Sequence, residues 1–82
     1  MTDLNIPRRV FYLVNRLHCP PGVQVSASTR LFTDLQMSDR DLLDLRDELE
    51  DEFDCTIPEA WLAGWATLQG AIETIERLKQ LD

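Results

Sequence analysis

Few residues of this chain have both the type and the company to do chemistry. A nucleophile needs a base within reach, and the base needs a group to orient it. His18 is the single histidine, and no partner motif accompanies it. A structural place near the end of a helix is expected for it, where the dipole favours positive charge. Cys19 and Cys55 stand apart, with no CxxC and no Cys/His cluster, which argues against a structural zinc site. Their positions leave a disulfide open, although two thiols are the plainer expectation. Nothing near Cys55 supplies a base, so a buried or idle thiol is expected there rather than a thioester carrier. Ser26, Ser28 and Thr29 read as turn and cap formers. The remaining candidate is the turn Gln36-Met37-Ser38-Asp39 at the head of an acidic stretch. Ser38 is followed three residues later by Asp41, a capping box with Asp in the Glu place.

The elements that must position these residues follow from periodicity. Asp3 or Asn5 can cap a first helix with Pro7 in its first turn. Val10, Phe11, Leu13, Val14 and Leu17 form its apolar stripe, and Arg8, Arg9, Asn15 and Arg16 its wet side. Cys19-Pro20-Pro21-Gly22 cannot continue it. Met1 to Leu4 are expected to be loose. Residues 22–33 read as a loop, with Val23, Val25, Leu31 and Phe32 pinning it to the core and Arg30 exposed or paired with an acid. A loop of that length in a small domain is often functional. The second helix runs to about Phe53, with Leu42, Leu45, Leu49 and Phe53 on one face and Leu43 at its edge. Its other faces carry Asp41, Asp44, Asp47, Glu48, Glu50, Asp51 and Glu52. Asp54-Cys55-Thr56 ends it, and Pro58 suits the first turn of a short helix holding Trp61 and Leu62, broken by Gly64. Thr67 is expected to cap a last helix with Leu68, Ala71, Ile72, Ile75 and Leu78 inward and Lys79 near its end. The expectation is one all-α domain over residues 1–82, a four-helix bundle with three longer helices, one short third helix and a long first loop.

Composition narrows the function. The net charge is −7 over 82 residues and the pI is near 4.5. That argues against a nucleic-acid binder, which needs a basic face, and suits a protein partner with a basic patch. Apolar runs are only a few residues long, so no membrane span is expected. No signal peptide is recognised, and the expected location is the cytoplasm.

From Asp34 to Ile75 the chain resembles an acyl carrier protein. Asp34-Leu35 match the opening of that family's DLGxDSL motif. Glu50-x-Glu52-Phe53-Asp54 with Ile57-Pro58 match its EEFD…IP. Thr67-Leu68-Gln69-x-Ala71-Ile72-x-x-Ile75 match the start of its last helix, at the family's spacing. The first helix and loop resemble it only in layout, and Cys19-Pro20-Pro21 is atypical. In carriers the serine of DSL takes the 4′-phosphopantetheine arm on its hydroxyl. Here that position is Asp39, preceded by Ser38 and followed by Arg40, with Gln36 in place of the glycine. A carboxylate cannot form the phosphodiester. Ser38 is one residue early, and sliding a helix by one residue turns its faces by about 100°. The sequence is also similar to carrier-like bacterial proteins that read DLGMDGDD and lack the serine.

The resemblance therefore implies a carrier fold without catalysis and without its arm, acting by protein–protein contact through the acidic second helix. One alternative is a working carrier modified at Ser38, serving fatty-acid, polyketide or related acyl transfer with 4′-phosphopantetheine as cofactor. Another is a small accessory or regulatory subunit unrelated to acyl chemistry. Asp44, Glu50 and Asp51 are the implied docking positions, while Arg40 and Asp47 stand where carriers present apolar contacts, which implies a changed partner set. Trp65 is expected in the core. Trp61 would cap the interior or anchor a partner, and the two indoles would fill the space between the second and third helices where carriers hold the acyl chain.

Overall fold

The computed structural model describes residues 5–80; the readings of Met1 to Leu4 as loose and of Asp3 as a cap lie outside the described residues. The chain forms α1 (Ile6–Leu17), α2 (Asp39–Phe53), a short 3₁₀ helix (Glu59–Gly64) and α3 (Leu68–Gln80). The expected all-α architecture of three longer helices and one short one is what forms, with α1 packed on α3.

The buried line of α1 is Ile6, Val10 and Val14, a step of four residues that keeps one face inward. The next step of that line is His18, not Leu17. Leu17 is 49% exposed, a correction to its place in the expected stripe. Asn5 is the N-cap, with no side-chain cap bond, and proline sits in the first turn. The wet side is also corrected at Arg9. Its guanidinium lies 4.5 Å over the Phe53 ring, and its Nε donates to Glu52 Oε2 at 3.0 Å.

The α2 stripe is as expected: Leu42, Leu45, Leu49 and Phe53 are buried. Asp54 ends the helix in the left-handed region, φ 52°, which a short polar side chain tolerates. Pro58 precedes the third helix rather than entering it, and the helix is 3₁₀ throughout. Trp65 is 1% exposed, and its indole Nε1 donates to Thr74 Oγ1 at 2.9 Å. That hydroxyl in turn donates to Gly70 O, so a buried donor is satisfied rather than stranded. Gly70 itself is required: a Cβ there would come within 2.6 Å of Gly64 O.

The long loop is held by more than its apolar residues. Leu31, Leu35 and Met37 are buried and Val23 and Val25 pack against the core, whereas Phe32 is 44% exposed. Phe32 therefore does not pin the loop as expected. Backbone bonds do that work. Leu31 N donates to Ala66 O, Leu68 N to Thr29 O and Gln69 N to Ala27 O, and Arg30 forms an antiparallel bridge with Thr67. Thr29 is buried, with its hydroxyl accepting from Ser26 N at 2.8 Å.

Candidate functional site

The site is the head of α2 and the groove beside it. Asp34 Oδ2 accepts from Arg30 N at 2.9 Å, and Asp34 N and Leu35 N both donate to Arg30 O. Asp34 thus closes the turn and Leu35 buries behind it. Gln36 has φ 57°, the left-handed region that favours glycine. Met37 then returns to the core, with its N–H on Leu31 O.

Ser38 is the N-cap of α2. Its Oγ accepts from Asp41 N at 3.2 Å, and its own N–H donates to Asp41 Oδ2 at 2.9 Å. This reciprocal pair is the capping box the sequence suggested. The backbone and hydroxyl bonds from Ser38 hold the Asp41 carboxyl below its ordinary range, because they favour the charged form. Asp39 is the first helical residue, and it and Arg40 are exposed. Asp39 is thus a solvent-facing carboxylate at the helix N-terminus. A carboxylate cannot form the phosphodiester of a phosphopantetheine arm. The neighbouring hydroxyl, Ser38, already satisfies an orphan helix N–H.

Beside Asp39 a groove of about 630 Å³ runs between α2 and the short helix, lined by Leu42, Leu43, Leu62, Trp65 and Ala66, with Arg30 among the polar lining residues. This corrects the expectation that the two indoles fill that space. Trp65 backs the groove and leaves it open. Trp61 lies elsewhere, half-buried with the Arg77 guanidinium 5.8 Å over its ring.

The acidic residues of α2 divide into two sets. Asp44 and Asp51 are exposed. Glu50, expected beside them as a docking residue, is half-buried, and its Oε2 accepts from Ile57 N at 2.6 Å. His18 Nε2 donates to Glu48 Oε1 at 2.8 Å, Arg9 holds Glu52, and Asp47 meets Arg46 at 3.3 Å. The His18–Glu48 and Arg9–Glu52 pairs were not anticipated. For His18 a signal existed, since it continues the Ile6, Val10, Val14 line.

No disulfide joins Cys19 and Cys55, and the Cys19 thiol donates to Val23 O at 3.1 Å. Among the described residues no group of three His, Cys, Asp or Glu is placed to hold a metal ion, and no helix is long and apolar enough to cross a membrane.

No curated protein matches the chain. A family model does: the one described as a phosphopantetheine attachment site, over residues 13–75. That span runs from within α1, through the capped head of α2, into α3. The chain is therefore a member of the phosphopantetheine attachment-site family, an acyl-carrier-like all-α domain.

Proposed function

We propose that this is an acyl-carrier-like domain that holds no 4′-phosphopantetheine arm and acts in the cytoplasm by docking a protein with a basic patch. The observation that carries this reading is Asp39 at the head of α2, exposed and charged, at the position where the family motif has its serine. Asp44 and Asp51 are the carboxylates open to such a partner. Glu50 contributes charge but keeps its hydrogen bond to Ile57. Arg40, exposed beside Asp39, places a charge where carriers present an apolar contact and selects against their usual partners. Trp61, covered on one face by Arg77, offers an edge for contact. Domains of this family are carriers rather than catalysts, and the reading assigns no catalytic residue.

The test is incubation of the whole chain with coenzyme A and a phosphopantetheinyl transferase of broad specificity, followed by intact-mass measurement. The expected result is an unchanged mass. A gain that vanishes in Ser38→Ala would overturn the armless reading. That second reading, an arm on Ser38, is favoured by one observation: the apolar groove is open beside Asp39, and an armless protein has no evident need to keep it so.

A further inference from the structure

Charge is distributed unevenly along this acidic chain. Residues 5–33 contain four arginines and no acid, whereas residues 34–54 contain ten acids and two arginines. The exposed side of α1 presents Arg8, Tyr12 and Arg16, a base, an aromatic and a base at steps of four. Tyr12 is 65% exposed. Among the described residues no carboxylate pairs with Arg8 or Arg16. The exposed side of α2 presents Asp39, Leu43 and Asp47, an acid, an aliphatic and an acid at the same steps. Leu43 is 37% exposed, and Asp47 meets only its neighbour Arg46 there.

We infer that the Arg8-Tyr12-Arg16 ridge of α1 docks on the Asp39-Leu43-Asp47 ridge of α2 in a second copy of this chain. Residues four apart lie about 6 Å apart along a helix, so the two triplets have equal length. Rows of that spacing interdigitate when helices cross at about 50°, the commonest helix packing. In that arrangement the ring of Tyr12 covers Leu43 and the two arginines meet the two aspartates. Each triplet reads the same in both directions, so parallel and antiparallel crossings both match. The contact is small and both copies are net negative, so the association is weak and reversible. It shares Asp39 with the reading above but does not depend on an arm, and the α1 face distinguishes the two: loss of self-association in Arg8→Glu with Arg16→Glu leaves the intact-mass result unchanged.

Sedimentation of the unmodified chain over a wide concentration range at low salt tests it, with dilution NMR to map the contact. Concentration-dependent association is expected, with shifts confined to the exposed faces of residues 8–17 and 39–47. Raising ionic strength from about 0.05 to about 0.5 M is expected to weaken it about tenfold. A chain that stays monomeric throughout overturns the inference and leaves the α1 face to a foreign acidic partner. Association that ignores salt, or whose shifts map elsewhere, also overturns it. A charge swap sharpens the result. Arg8→Glu with Arg16→Glu, and separately Asp39→Arg with Asp47→Arg, each abolish self-association, while mixing the two folded variants restores it as a heterodimer. Failure of the folded pair to associate, when the unmodified chain does, overturns the pairing proposed.

Discussion

The two ends of α2 both carry acidic side chains and use them differently. At the head, Asp39 and Asp41 lie over the first turn, where helix N–H groups attract negative charge, and Asp41 closes a box with Ser38. At the tail, where the dipole disfavours negative charge, the acids are held by other parts of the chain: Glu48 by His18, Glu50 by Ile57 N–H and Glu52 by Arg9. Charge at the head is bound locally and remains wet. Charge at the tail ties α2 to α1 and to the segment after it. An acidic helix read as one uniform surface is thus two devices, and the head and the outer positions Asp44, Asp47 and Asp51 are the parts open to a partner.

The comparison breaks most visibly at Glu50. Replacement by Ala leaves Ile57 N–H without its acceptor. A hydrogen bond to a charged group is worth about 1.5–3 kcal/mol, so a loss near the lower figure is expected for a half-buried site. Urea denaturation would show it as a lowered midpoint. Asp44→Ala and Asp51→Ala are expected to stay within about 0.5 kcal/mol of the parent; equal losses at all three sites would erase the distinction between the sets. At the head, Ser38→Ala is expected to cost about 1 kcal/mol, the usual worth of an N-cap. Because the folded Asp41 carboxyl sits below its ordinary 3.8, its contribution is complete above that value and is lost as pH falls through the lower folded value. Asp41→Asn should flatten that acid limb, measured as stability against pH. The smallest effect is a gain. Gln36→Gly relieves a left-handed residue, which costs about 1–2 kcal/mol for a side chain with a Cβ. Part of that is returned as unfolded-chain entropy, so a net stabilisation of about 0.5 kcal/mol is expected in the same denaturation assay.

Much of the fold was legible because strong periodicity leaves little choice. Leu42, Leu45, Leu49 and Phe53 fix the inward face of α2, and Ser38 with Asp41 announces its start. The family blocks around Asp34, Glu52 and Thr67 placed the remaining elements. What escaped lies at the margins of stripes and in the loop. Leu17 and Arg9 exchange roles because α1 is rotated so that Val14 and His18, not Leu17, continue its buried line, and because Phe53 offers Arg9 a ring to cover. Phe32 points out because backbone bonds to Ala66 already hold its neighbour Leu31, a pairing between distant segments that no local pattern encodes. Of the candidate site, the identity of Asp39 was plain in the sequence. The engagement of Glu50 and the open groove beside Trp65 were not, since both depend on how the Ile57–Trp65 segment returns across α2.

The bridge between Arg30 and Thr67, with its flanking bonds at Thr29 and Leu31, has a mechanical consequence for that groove. One wall is riveted to the base of α3, and another is the continuously bonded α2. The third wall is the 3₁₀ helix, a geometry with poorer hydrogen bonds than an α-helix, suspended between the buried Ile57 and Trp65. The groove is therefore a jaw with two fixed sides and one sprung one. Of its walls, Glu59–Gly64 has the weakest backbone bonding and is the one expected to yield first to a ligand, ahead of the capped head of α2.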